Sequence, residues 1–321
     1  MDTRQLILDT AVKIFSDHCD KALWDAAEQG EFAHALWQQV AENGFHLLGT
    51  DASGTDAADL FAFLKVCGRY AVPLPMAEVL LANVWLTQAG KTASALDSIG
   101  IASATGAVQV PWGRRATQVL AVSPDSHGIA LLQLPAEIAT GQNIAGEPVD
   151  SLTAAESGEM LQVTDSPYAQ MALARVNLMA GGLQTALDLG LQFAQERSQF
   201  GRSISKFQAI QHSLAVVAAE VAAAQRAADA GVDALGSDRF VEEVAAAKAR
   251  VGEAVGIVAE QVHQVHGAMG FTYEHRLHHF TRRLWSWRDD WGNEFYWQTK
   301  LGASLAGLGA DQVWNYIATR A

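Results

Sequence analysis

Cysteine is almost missing from this chain: 321 residues contain two, Cys19 and Cys67. Both fall on segments that read as helical, and neither belongs to a metal-ligand spacing. That excludes a disulfide scaffold and leaves two reduced core thiols of a cytoplasmic protein as the expectation. Basic charge is also scarce, with 22 Lys and Arg against 35 Asp and Glu, a net charge of −13. A protein that follows a phosphate backbone carries the opposite surplus, so nucleic acid is not an expected partner. No apolar run is long enough to span a membrane, and Met1-Asp2-Thr3-Arg4 does not open a secretory leader. With 50% apolar and 18% charged residues, the composition is that of a folded chain. The common nucleotide loops and the GxSxG hydrolase elbow are missing too.

What the sequence does contain is helical periodicity, interrupted once. Residues 1–100 read as an N-terminal helical domain, with apolar faces at Ile7, Ala11, Ile14 and Phe15 and at Leu60, Phe61, Leu64 and Cys67. Pro73 and Pro75 end the second of these helices before a further apolar stretch from Val79 to Leu86. Residues 101–166 change texture. Val119–Val122 and Ile129–Leu132 flank Pro124-Asp125-Ser126-His127-Gly128, which predicts strand, turn and strand in a reduced β region. From 167 to 321 long helices return. Phe207, Ile210, Leu214, Val217, Val221 and Ala224 step by three or four, as do the valines from Val244 to Val265 with one turn skipped over alanines. Glycines are expected to close these helices at Gly201, at Gly231 and Gly236, and at Gly267 and Gly270. Long helices with short connections pack as a bundle, so the fold class is mainly α: helices, a small sheet, then a four-helix bundle.

Two polar constellations carry candidate chemistry. Glu196 to Arg202, with Lys206-Phe207-Gln208, sets cations at a break between two helices. The free N–H groups of a helix start, with cations nearby, favour an anion; the same residues also suit an ordinary charged corner. The second runs from Gln264 through Gly267-Ala268-Met269-Gly270 to His275, where small residues let backbone approach a ligand. His275, His278 and His279 have the spacing of ligands on one helix face. No second cluster of carboxylates or cysteines completes a shell in the sequence, so no metal is expected.

Together these motifs resemble the acyl-CoA dehydrogenase family: Arg197-x-x-Phe200-Gly201 with Phe207-Gln208, then Gln264-x-His266-Gly267-Ala268-x-Gly270-Phe271-Thr272-x-Glu274. The Val72 to Glu78 stretch adds a looser match in the N-terminal helices. The resemblance implies an FAD enzyme that removes the α proton of an acyl-CoA thioester with a carboxylate and passes the β hydride to flavin. It also implies an electron-transferring flavoprotein as acceptor and a dimeric or higher assembly. In such proteins the two motifs hold the pyrophosphate and adenosine end of a neighbouring subunit's FAD, and here Arg197, Phe200, Gln208, Gln264, Gly267 and Ala268 match those positions.

Two departures from the family pattern matter. The middle region is short and lacks the Thr-Glu-Pro-x-x-Gly-Ser and Trp-Ile-Thr segments that bind the isoalloxazine. The family's glutamate base stands in one of two places, which here hold Trp291 and Ala174. Asp290 is the nearest substitute, followed by Glu294 and then Asp289; a charge pair with Arg288 would account for all three without catalysis. The chain then reads as a dehydrogenase subunit, as a catalytically silent partner completing the FAD site of a base-carrying chain, or as a helical scaffold without flavin. Short members of this kind resemble two-gene enzymes for lipid or steroid side chains, whose second subunit is dehydrogenase-like. Trp285, Trp287, Trp291 and Trp297 form either a pocket wall or core packing. Arg197, Arg202, Lys206, Arg276, Arg282, Arg283 and Arg288 are expected beside the flavin and CoA phosphates.

Overall fold

The computed structural model describes residues 3–93, 96–103, 106–124, 128–134, 138–153 and 158–319. Five helices open the chain: α1 Thr3–His18, α2 Lys21–Glu28, α3 His34–Glu42, α4 Ala57–Arg69 and α5 Met76–Gln88. Side-chain caps fix several helix starts. Asp20 accepts from the Leu23 N–H, and Asp56 with Asp59 forms a capping box before α4. Helix α5 has no polar face to offer water; from Met76 to Asn83 every residue is buried.

Six strands follow: β1 Ser98–Ala102, β2 Ala107–Pro111, β3 Val119–Val122, β4 Gly128–Leu132, β5 Val149–Thr153 and β6 Glu159–Gln162. They form one sheet in the order β5-β2-β1-β3-β4-β6, antiparallel except where β1 runs parallel to β3. The sequence-predicted hairpin is β3–β4, with Val119 opposite Leu132 and Val122 opposite Ile129. Asp125, Ser126 and His127 of its turn lie outside the described residues. Alternation gives the sheet two buried faces. Ile99, Leu120, Val122 and Ile129 join the main helical core, while Val108, Val110, Val119 and Leu132 form a small core of their own.

The C-terminal half holds α6 Pro167–Glu196, a two-stranded hairpin of β7 Ser198–Gln199 and β8 Arg202–Ser203, α7 Gln208–Asp233 and α8 Phe240–His266. It ends with α9 Leu277–Asp289, α10 Glu294–Leu308 and α11 Ala310–Ala318. Helix α6 is the axis of the molecule and packs on α4, α7, α8 and α9. Its crossing with α4 is backbone against backbone. A Cβ on Gly68 would stand 2.0 Å from the Leu178 carbonyl oxygen, and one on Gly181 would stand 2.0 Å from that of Lys65. Gly231 does not end α7, as its sequence position had predicted. It sits inside the helix, where a Cβ would meet the Leu173 side chain of α6 at 2.6 Å.

Candidate functional site

Helices α5 and α6, the end of β2 and the end of α9 meet around a cavity of about 90 Å³. Three carboxylates line it, Glu78, Glu147 and Asp290, and the Arg175 cation stands between Glu78 and Asp290. Arg175 of α6 donates Nη2–H to Glu78 Oε1 at 2.5 Å and Nε–H to Asp290 Oδ2 at 2.9 Å. Glu78 and Arg175 are buried, and Asp290 is about one-third exposed. Burial works against the charge on Arg175, but the attraction of Glu78 and then Asp290 outweighs it and holds the guanidinium protonated more firmly than usual. Asp290 Oδ1 has no partner among the described residues.

Strained backbone gathers here. Among described non-glycine residues, positive φ occurs at Ala71, Trp112, Phe200 and Trp291. Trp112 and Trp291 both line this cavity, and such conformations persist only where the surroundings enforce them. For Trp291 the enforcement is visible. Lys248 of α8, almost fully buried, donates to the carbonyl oxygens of Trp287, Arg288 and Gly292 at 3.3, 2.6 and 2.8 Å. Trp297 adds a bond from Nε1 to the Trp291 carbonyl oxygen at 2.9 Å. Burial pulls the Lys248 amine down to about 7. The tryptophans divide: Trp287 and Trp291 line the cavity, Trp297 is core, and Trp285 lies beside His263 in a separate hollow.

Of the sequence candidates for the base, only Asp290 reaches the cavity. Glu294 begins α10 and occupies a notch left by Gly252, 3.6 Å from Arg288, and Asp289 pairs with Arg288 at 3.2 Å. Glu78 was missed as a site residue. The signal was a single carboxylate in the apolar run from Met76 to Leu86, since a charge on a fully buried helix needs a partner.

The second site is a groove of about 700 Å³ between the end of α6 and the end of α8. Arg197, Phe200, Gln264, Gly267 and Ala268 all line it. Gln208, the first residue of α7, is exposed and is not among the lining residues. The β7–β8 hairpin turns on Phe200 (φ +52°) and Gly201 (φ +78°), as a two-residue turn of this hand requires. Phe200 is thereby left 91% exposed. Gly267 leaves α8 at φ +58°, with open space where a Cβ would be. The side chains of Arg197, Gln199 and Gln264 make no hydrogen bond among the described residues. One guanidinium, two amides and bare backbone form a donor set for a phosphate ester. His266 walls the groove with its ring stacked on Phe193 at 4.5 Å; burial lowers it to about 4.

Of the cations expected beside phosphates, Arg197 lines the groove, whereas three others are paired with carboxylates elsewhere. Arg282 and Arg283 pair with Glu28 at 3.0 Å each, Arg283 also meets Glu147, and Arg288 pairs with Asp289 and Glu294. Arg202 lies over the Phe207 ring. Nor do the three histidines share a helix face: His275 precedes α9 and its ring turns toward Phe193 and His266.

The pattern of the acyl-CoA dehydrogenase C-terminal domain matches residues 166–287, which include α6, the β7–β8 corner and the α8 loop. The acyl-CoA dehydrogenase IpdE2 of Mycobacterium tuberculosis is 25% identical over 302 residues, covering 88% of this chain and 91% of its own. Residues 166–287 thus form an acyl-CoA dehydrogenase C-terminal domain, and the chain is similar to an acyl-CoA dehydrogenase over most of its length. Solved acyl-CoA dehydrogenase folds agree along the whole length. A variant of the Tcur3481–Tcur3483 steroid ACAD superimposes with a TM-score of 0.86 at 20% identity, over 96% of this chain and 98% of that one. The ChsE4–ChsE5 complex from Mycobacterium tuberculosis gives 0.83 at 20% identity, over 95% and 98%. No helix among the described residues is long and apolar enough to cross a membrane.

Proposed function

We propose that this chain is one subunit of a hetero-oligomeric, FAD-dependent acyl-CoA dehydrogenase acting on a bulky acyl-CoA such as a steroid side chain. The observation that supports the FAD part is the groove, where Arg197, Gln199 and Gln264 present unpaired donors beside the open backbone of Gly267. Arg197 and Gln264 would hold the pyrophosphate, and Phe200 would cover the adenosine end. Bound FAD supplies the acceptor for the substrate's β hydride. For the α proton, Asp290 Oδ1 is the chain's own candidate acceptor, with Oδ2 anchored on Arg175. An electron-transferring flavoprotein is the proposed oxidant of the assembly.

A second reading, that the chain is the catalytically silent partner, is favoured by the size of the acyl cavity. At about 90 Å³ it is well below the roughly 300–1,000 Å³ of ordinary small-molecule pockets, so a bulky acyl chain requires space from another subunit. Purification alone and with a second acyl-CoA dehydrogenase-like chain tests both. Flavin absorbance retained by the complex and lowered by Arg197→Ala supports the groove assignment; unchanged flavin content rejects it. Turnover unaffected by Asp290→Asn would remove that carboxylate as the base and leave the silent partner.

A further inference from the structure

A cluster outside both sites joins the first domain to the bundle. Asp25 of α2 faces His278 and His279 of α9, and the ligand atoms these three side chains offer all lie within 4.8 Å of one another. The carboxylate absent from the local sequence around the histidines thus comes from the far end of the chain. In both rings Nδ1 faces an oxygen acceptor. His278 Nδ1–H donates to the His275 carbonyl oxygen at 2.7 Å, and His279 Nδ1–H donates to Glu28 Oε1 at 2.7 Å. In the neutral imidazole this leaves Nε2 as the lone-pair nitrogen of each ring, and both Nε2 atoms are buried without a hydrogen-bond partner. The rings are more than nine-tenths buried, at 8% and 0% exposure. A buried, partnerless imidazole nitrogen is costly, and an Nδ1–H fixed on a carbonyl or carboxylate is the usual support of an Nε2 metal ligand.

Asp25 is divided in the same sense. Its Oδ2 accepts from Lys21 Nζ at 2.5 Å, while Oδ1 faces His279 Nε2 at 3.4 Å without hydrogen-bonding geometry. That separation is close to the edge, about 3.3 Å, of a tetrahedron with metal–ligand bonds of about 2.05 Å. Two imidazoles and one carboxylate suit zinc and its neighbours better than calcium or magnesium. We propose that Asp25, His278 and His279 bind a divalent transition-metal ion of the zinc class, clamping α2 to α9. Equilibrium dialysis of the full chain, or of its native complex, against Zn²⁺ alone should give one saturable ion per chain. Co²⁺ as a probe should give the visible absorption of a tetrahedral centre. Asp25→Asn and His278→Gln, each checked for native circular dichroism, should both abolish that ion. His279→Gln is the less secure variant, because His279 also anchors Glu28. Absence of a saturable ion, or its survival in both of the first two variants, overturns the proposal.

Discussion

Arg175 donates Nε–H to Asp290 Oδ2 at 2.9 Å, which ties the axial helix α6 to the loop that follows α9. Only one carboxylate oxygen is used, so anchoring leaves Oδ1 available. If Asp290 is the base, Asp290→Asn should lower turnover of the assembled enzyme by about 10²–10⁴, with the denaturation midpoint little changed because the side chain is partly exposed. Steady-state rates together with urea unfolding separate this from simple loss of fold.

The other half of that cluster is a matter of stability. Arg175→Met leaves Glu78 buried without its cation, and the expected loss is about 3–5 kcal/mol. Replacing Glu78 by Met in the same chain removes the stranded charge and should recover much of that loss. Chemical denaturation of the single and double variants measures it; additive losses would mean that the two side chains are not coupled.

Much of this architecture was legible in residue spacing. The α7 positions Leu214, Val217, Val221 and Ala224 and the α8 valines from Val244 to Val265 are all buried, because a helix reports its own buried face within a few turns. Strands β1, β2, β5 and β6 were not picked out: each is short and pairs with a distant segment, as β2 does with β5. The groove was legible because its residues lie in two compact motifs. The triad of Glu78, Arg175 and Asp290 was not, since its members come from three separate elements. Gly231 misled for a related reason: it is small to admit Leu173 of another helix, and a packing glycine looks like a terminating one until the partner is known.

The α4–α6 crossing predicts intolerance to one methyl group. Gly68→Ala would drive Cβ into the Leu178 backbone, and backbone cannot turn aside as a side chain can. Overpacking of this kind costs about 1–3 kcal/mol, and the separation of two core helices places this case at the upper end. The thermal midpoint should fall, whereas Gly256→Ala on α8, where an added Cβ meets nothing, should not lower it. Equal midpoints for the two variants would refute the close approach.

Phe200 is held at φ +52° with its ring almost wholly exposed, a combination that contributes little to the isolated fold. Phe200→Gly removes the strain of a side chain in the left-handed region, while adding about 0.5–1 kcal/mol of chain entropy. Stability should therefore move by no more than about 1 kcal/mol. Flavin retention by the complex should nevertheless fall if the ring covers the adenosine end. A stable variant with undiminished flavin would release Phe200 from that role.

His266 gives the groove a defined response to acid. Burial lowers it from 6.5 to about 4, and neighbouring His275 and His263 add to the effect, while Nδ1–H donates to the Val262 carbonyl oxygen at 2.6 Å. Because the folded value lies below the unfolded one, the unfolded chain binds more protons between those limits. Stability is therefore complete above about pH 6.5, falls as the pH drops, and levels off below about 4. The loss from this ring is on the order of 3 kcal/mol. His266→Phe retains a flat ring against Phe193 and cannot be protonated, so the slope of unfolding free energy between pH 6.5 and 4 should become shallower than in the parent. Parallel pH profiles would show that the acid sensitivity lies elsewhere.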